Sequence, residues 1–456
     1  MSRPLPILTA ATLMLSAALP ALAQDKRVNM VPADIEAATY AGTGELPSGQ
    51  SALTAKVQIL LDRSGVSPGV VDGFRGGMSE SAIRAFERMH GLPQDGRLDP
   101  QVWTLLQNHA GAPLTGTYTV TPEDAGGLVE SIPNDYAEKA KMSSMGFTSV
   151  QEKLAERFHM DEKFLVQLNP GKSFVPGDTL NVTVPATPMK AKVLRVIVDA
   201  ERGRVAAYDA SGRMVADYPA TVGSDATPSP QGTHLVEAAV LDPDYTYNPN
   251  INFKQGNNDK VLRIPPGPNA PVGNVWIDLS KPTYGIHGTP TPSKLFVNQS
   301  NGCVRLTNWD AQELARMVQP GQTVVDFLAP GVAIADVTPA VAPTILPDPS
   351  GIAAATTNVA TAGQDGAAPA ATITASRPAP RRTLPGTTPV SGTMLPADAP
   401  VSTAATDDAV PVPSAPLPVP GTDPLAAALS SASDGALDPQ ALPAPAQTGV
   451  LPGNIN

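Results

Sequence analysis

From Gly331 to Asn456 the chain contains no Phe, Trp, Tyr, Lys or Glu, and is built chiefly from Ala, Pro, Thr, Ser, Gly, Val and Leu with scattered Asp and three arginines. Such a stretch cannot bury enough apolar surface to offset the entropy of ordering its backbone, so residues 330–456 are expected to be a disordered Pro/Ala-rich tail. Runs such as PVPSAPLPVPG favour extended, polyproline-like conformations. They suit a spacer, with a proline-rich docking ligand as the alternative. Any packed core must come from the preceding residues. The 50 prolines and 4% aromatics of the 456-residue chain agree that only part of it is globular.

The other end reads as an export signal. Arg3 precedes an apolar run from Leu5 to Leu22, and Ala21-Leu22-Ala23 supplies a small-residue cleavage site, so residues 1–23 are expected to be a signal peptide. Pro20 interrupts the run and Gln24, Asp25 and Lys26 follow it, which disfavours a retained membrane anchor. No cysteine follows the cleavage site, so N-terminal lipidation is not expected. The mature protein is expected outside the cytoplasm, without stable membrane insertion. The net charge of −11, with no basic cluster, argues against a nucleic-acid partner.

That compartment sharpens the meaning of the chain's single cysteine, Cys303. It cannot form an internal disulfide, and an oxidising compartment penalises a spare exposed thiol. Cys303 lies sixteen residues after His287, in HGTPTPSKLFVNQSNGCVRL. A thiol with a pKa of about 8.5 is mostly protonated at neutral pH, so a nearby imidazole that takes its proton makes a nucleophile. Glycine beside the nucleophile lets backbone N–H groups approach an oxyanion, which makes the amides near Gly302 and Cys303 the candidate hole. Arg305 is a candidate for holding a substrate carboxylate; a structural ion pair under the nucleophile loop is an equal alternative. His90, His109 and His159 read as surface or capping residues, since no other His or Cys sits at metal-ligand spacing. His234 reads as a half-exposed strand residue. No metal or organic cofactor is expected.

Residues 24–50 read as a linker. Residues 51–110 read as a helical unit, with Leu53, Val57, Leu60 and Leu61 at helical spacing, then Ile83, Phe86 and Met89. The run GVSPGVVDGFRGGMSESAIRAFERMHGLPQDGRLDPQVWTLL resembles the peptidoglycan-binding domain family at Gly65, Gly69, Asp72, Gly73, Phe86, Asp95, Gly96, Pro100, Trp103 and Leu106. Residues 117–185 resemble a LysM-like, α+β glycan-binding unit of order strand, helix, helix, strand. The segment GGLVESIPNDYAEKAKMSSMGF is inserted before its first helix, and a purely structural spacer is the alternative.

From Lys192 the pattern becomes alternating, β-branched strands separated by Gly, Pro and Ser turns, followed by a helix over NWDAQELARMVQPG with Asn308 as its expected cap and a final strand QTVVDFL. The set TVGSDATPSPQGTH, NAPVGNVWIDL, YGIHGTPTP and SNGCVRLTNWDAQELARMVQPGQTV resembles the L,D-transpeptidase (YkuD) catalytic domain over residues 190–329. The resemblance implies a multidomain chain with a mainly-β catalytic domain and a short helix after the nucleophile loop. It implies Cys303 as nucleophile, His287 as base, Gly288 orienting the base through its carbonyl, Ser300 lining the pocket, and Asn301, where many members carry a second histidine, as a pocket variation. It also implies peptidoglycan glycan and stem peptides as partners in the periplasm, and a thioester to the third residue of a tetrapeptide stem with release of D-alanine. The acceptor stays open among a second stem, an outer-membrane protein and water. A catalytically inactive wall-binding scaffold is the competing reading; a papain-like hydrolase is disfavoured, because there the thiol precedes the histidine along the chain.

Overall fold

The computed structural model describes residues 27–223, 229–250, 255–296 and 302–342. The expected signal peptide, Ser300, Asn301 and the tail beyond residue 342 lie outside the described residues.

The helical unit forms as the periodicity implies. Helix α1 (Pro32–Ala37) precedes α2 (Ala52–Arg63), α3 (Gly77–Met89) and α4 (Pro100–Leu106). Ser51 Oγ accepts from Thr54 N and caps α2, while Asp99 caps α4 ahead of Pro100, a residue whose missing N–H costs nothing in the first turn. Phe86, Ile83, Leu60 and Leu106 are fully buried. Residues 24–50 are not merely a linker: Met30, Ile35 and Leu46 are buried, and Lys56 Nζ donates to the Glu36 carbonyl at 2.8 Å, so this segment supplies part of the helical unit's core.

The second unit has strand β1 (Thr115–Thr119), a one-turn helix α5 (Tyr136–Lys139), α6 (Val150–Arg157), α7 (Glu162–Gln167) and strand β2 (Thr179–Thr183), with β1 and β2 antiparallel. The order is strand, helix, helix, helix, strand; the extra helix, α5, lies within the inserted segment ahead of the expected pair. Ser149 and Asp161 cap α6 and α7. Asn169 ties the last turn to β2, its Nδ2 donating to the Asn181 carbonyl at 2.8 Å and its Oδ1 accepting from Asn181 N at 2.6 Å.

The third unit is built from β3 (Val193–Asp199), β4 (Arg204–Asp209), β5 (Met214–Pro219), β6 (Thr221–Val222), β7 (Gly232–Leu241), β8 (Tyr245–Tyr247), β9 (Leu262–Ile264), β10 (Val275–Leu279), β11 (Gly285–His287), β12 (Val304–Arg305), helix α8 (Asn308–Met317) and β13 (Val324–Phe327). Nine strands follow the order β5-β4-β3-β13-β7-β10-β11-β12-β6, while β8 and β9 form a separate hairpin. Neighbours are antiparallel except β13 with β3 and β11 with β12. β5 and β6 stand at opposite ends of the order but are separated only by Ala220, so the sheet bends back on itself. The enclosed core includes Val196, Val205, Ile277, Ile286, Val304 and Val325, and α8 adds Ala311, Leu314 and Met317 at helical spacing.

Two expectations shift. The cap of α8 is Thr307, whose Oγ1 accepts from Asp310 N at 3.1 Å; Asn308 instead begins the helix and turns its side chain toward α6. The folded chain also runs past residue 330. Gly331 N donates to Glu201 Oε1, Arg195 donates to the Val337 carbonyl, and Ile334 is buried, so one apolar side chain with three residues of 3₁₀ turn suffices to dock this segment. Burying an Ile stabilises by about 2 kcal/mol. Truncation before Gly331 should therefore lower the melting temperature by roughly 4–8 °C relative to truncation after Ala342, measured by calorimetry. Equal melting temperatures would return residues 331–342 to the tail.

Candidate active site

β11 and β12 run parallel with Ile286 opposite Val304 and His287 opposite Arg305. Successive strand side chains point to opposite faces. Ile286 and Val304 enter the sheet's core, so His287 and Arg305 share the other face. The thiol of Cys303 joins them there, in a second cluster with Trp276, Tyr245, Tyr247, Ile264, Tyr136 and Met145. Cys303 is 1% exposed and His287 fully buried.

The imidazole is held on two sides. Trp276 pairs with His287 across β10 and β11 and stacks on it, with ring centroids 5.7 Å apart and planes 21° apart. That overlap requires Gly285, where a Cβ would come within 2.6 Å of the indole. His287 Nδ1 lies 2.7 Å from the Gly288 carbonyl. A carbonyl only accepts, so Nδ1 carries the proton and Nε2 keeps its lone pair. Gly288 is confined in turn, since a Cβ there would fall 2.1 Å from Asn308 Oδ1. Burial and the Arg305 guanidinium push the His287 pKa down to about 3, against the favourable contact with the Gly288 carbonyl. The imidazole is neutral at physiological pH and able to accept a proton.

The nucleophile loop has its own constraints. Gly302 has φ 112°, in the region that favours glycine, and its carbonyl accepts from Ser229 Oγ at 3.0 Å. Cys303 Sγ lies 3.7 Å from the Thr283 carbonyl. Thr283 has φ 73°, uncommon for a β-branched residue, so backbone strain is stored in the loop that meets the thiol.

A buried thiol, a neutral imidazole with a fixed proton and a glycine-flanked nucleophile loop suit acyl transfer. Residues 194–326 match the family model described as the L,D-transpeptidase catalytic domain. The chain carries an L,D-transpeptidase catalytic domain. It is an enzyme of that class. Residues 50–106 match the model described as "Putative peptidoglycan binding domain". Among curated proteins, "Putative L,D-transpeptidase YkuD" of Bacillus licheniformis is 29% identical over 186 residues, covering 38% of this chain and 90% of the relative. The Bacillus subtilis protein of the same name is 28% identical over 171 residues, covering 38% and 89%. "Probable L,D-transpeptidase ErfK/SrfK" of Escherichia coli is 26% identical over 183 residues, covering 39% and 59%. A solved L,D-transpeptidase from Mycobacterium smegmatis aligns at 17% identity and TM-score 0.25, covering 34% of this chain and 64% of that one.

Within the L,D-transpeptidase domain, Cys303, His287, Gly288, Gly302 and Arg305 lie on one side of the β11–β12 pair or in the loops that continue it. Arg305 is buried, opposite His287 in register. His234 is a partly buried strand residue against Phe327. His159 closes the C-terminus of α6 as expected, with φ 55° just past the cap Phe158, its N donating to the Glu156 carbonyl and Met160 N to the Ala155 carbonyl, but its side chain is only partly exposed. Its Nδ1 lies 3.0 Å from Asp62 on α2 and its ring stacks on Trp309, so contacts distant in sequence draw it between units. Among the described residues no group of three His, Cys, Asp or Glu could hold a metal. Trp276 and Thr283 were not singled out from the sequence; YGIH with an upstream VWID alternation is the only hint of the former.

The insert before α6 also meets the site. Tyr136 on α5 packs edge-on against Tyr245 and Tyr247, with centroids 6.2 and 5.3 Å away, and belongs to the same cluster as Cys303. Met145 N donates to the Pro266 carbonyl at 2.8 Å, and the Met145 carbonyl accepts from Asn269 N at 3.0 Å. If this packing limits access to the sulfur, loosening it should speed acylation. Tyr136→Ala removes about 3 kcal/mol or more of packing. It should speed acylation of Cys303 by a small β-lactam about tenfold, read by stopped-flow fluorescence, and an unchanged rate would show that α5 does not limit access.

Proposed function

We propose that the enzyme acts on peptidoglycan through a Cys303 thioester. His287 Nε2 takes the thiol proton as sulfur attacks the carbonyl joining the third residue of a tetrapeptide stem to its terminal D-alanine. Backbone N–H groups near Gly302 and Cys303 receive the oxyanion, and the proton passes to the departing D-alanine nitrogen. An amine then attacks the thioester, gives its proton to His287 and releases the thiol with a new amide. The acceptor amine belongs to a second stem or to an outer-membrane protein, with water in its place giving an L,D-carboxypeptidase, and the exported chain works at the cell wall in the periplasm. The peptidoglycan-binding domain at residues 50–106 and the LysM-like unit at 117–185 hold the catalyst on the polymer. Arg305 favours the thiolate as it forms.

The observation that carries this reading is the buried His287, its Nδ1 proton committed to the Gly288 carbonyl on the strand beside the nucleophile. With the His287 pKa pushed down to about 3, the imidazole is neutral at physiological pH and its Nε2 can accept a proton.

Intact-mass spectrometry with a carbapenem tests the nucleophile. Wild type should gain one adduct and Cys303→Ser none; a wild type that never acylates ends the proposal. His287→Ala should slow acylation by roughly two to four orders of magnitude.

The pH profile carries a sign. The active base is the unprotonated imidazole, and its pKa is depressed from 6.5 to about 3, so activity that depends on it is retained through pH 5 and lost as pH falls toward 3. An acid limb with its midpoint between pH 6 and 7 would place the base elsewhere.

A further inference from the structure

A cleft of about 820 Å³ lies between α3 and the end of the L,D-transpeptidase sheet, with Thr221 and Val222 of β6 in its lining. Four guanidinium groups line it: Arg84 and Arg88 from α3, Arg202 from the turn after β3, and Arg204 from β4. Asp199 and Glu201 also line it, so four guanidinium groups face two carboxylates, an excess of positive charge in a chain of net charge −11.

The charges are unevenly compensated. Arg202 pairs with Asp199 at 3.2 Å and with Glu201 at 3.8 Å. Arg88 and Arg204 share the single buried carboxylate of Asp217, with Arg204 Nε 2.5 Å from Oδ1. Arg204 is only 2% exposed, and its Nη1 has no hydrogen-bond partner among the described residues; neither has Arg88 Nε. Buried guanidinium donors without an acceptor are costly, and an arriving anion removes that cost. Arg84 lies exposed at the rim and forms no ion pair among the described residues.

The cleft is larger than a lone anion needs, and Leu295, Phe296 and Ile334 give it apolar walls. That mixture suits a short peptide with a free carboxylate. It is also connected to the chemistry. Thr221 and Val222 of β6 line the cleft, and β6 pairs with β12 so that Thr221 lies opposite Arg305, two residues beyond Cys303. The other wall, α3, belongs to the peptidoglycan-binding domain. We propose that this cleft binds a carboxylate-bearing stem peptide of the wall polymer, holding it between the binding domain and the nucleophile's strand. The proposal rests on the peptidoglycan reading for its ligand.

The test uses the full mature chain carrying Cys303→Ser, which prevents turnover, and a synthetic stem tripeptide ending in a diamino acid, titrated by calorimetry. Binding should saturate, weaken at least fivefold in Arg84→Glu, recover largely in Arg84→Lys, and vanish when the peptide carboxyls are amidated. Arg84 is exposed, so the Arg84→Glu protein should melt with the parent and its loss be one of binding. Arg88→Lys, which keeps charge but loses the fork, should weaken binding too if it folds. The proposal is overturned if the tripeptide does not bind, if Arg84→Glu or the amidated peptide binds as tightly as the parent pair, or if inorganic phosphate competes at the same concentration as the tripeptide. Absence of a carbapenem adduct on wild-type Cys303 would instead defeat the thioester reading, leaving the calorimetry to judge the cleft.

Discussion

The parallel register of β11 and β12 is the constraint from which the site follows. With Ile286 opposite Val304 and His287 opposite Arg305, the apolar pair fills the sheet's core and the polar pair is delivered to the other face. A slip by one residue would exchange those faces, turning His287 into the sheet's apolar core and Ile286 toward Trp276 and Cys303. Everything around the imidazole elaborates that register. Trp276 is placed by the neighbouring β10 ladder, Gly285 clears the space for its ring, and Gly288 turns its carbonyl to Nδ1 under the side chain of Asn308. The histidine is neutral because those contacts exclude water and because Arg305 lies opposite it.

The upstream units are joined to the catalytic sheet through buried polar contacts. Asp217 receives both Arg88 from α3 and Arg204 from β4. Asn308 Nδ2 donates to both Glu156 oxygens at 3.0 Å, and burial, together with Glu152 and Glu162, pushes that carboxyl up to about 8 in spite of these bonds. Ser67 donates to Asp310, whose carboxyl burial lifts to about 7. Burial disfavours the His159 cation, but Asp62 outweighs it and raises its pKa. Such contacts confer geometric specificity because docking the units in another register would leave a buried polar group unsatisfied. They also explain why α5 can reach the thiol's cluster: the insert is anchored at both ends by a unit that is itself fixed to the sheet.

Local chemistry was readable in the chain before any coordinates. The lone cysteine, the histidine sixteen residues earlier and the glycines beside each mark a candidate acyl-transfer site, since thiolate generation needs a base and an oxyanion needs close backbone. Helix periodicity placed α2, α3 and α8, and alternation placed β3, β4 and β10, because burial of one face imposes those periods. The cap of α8 was misread by one residue, as Thr307 and Asn308 are both good caps and only contact with Glu156 distinguishes them.

Composition misplaced both edges of the folded region. Residues 27–50 and 331–342 look like linker and tail because each contributes only a few apolar side chains, Ile35 and Ile334 among them, yet neighbouring units supply the surface that buries those side chains. The sequence alone determined which residues are candidates for the chemistry, because reactivity belongs to residue type and to neighbours along the chain. The tertiary structure decided what surrounds them: the Trp276 stack, the strained Thr283 carbonyl, the α5 cover and the arginine-lined cleft. Each depends on segments far apart in sequence meeting at one place, and no local period or motif encodes such a meeting.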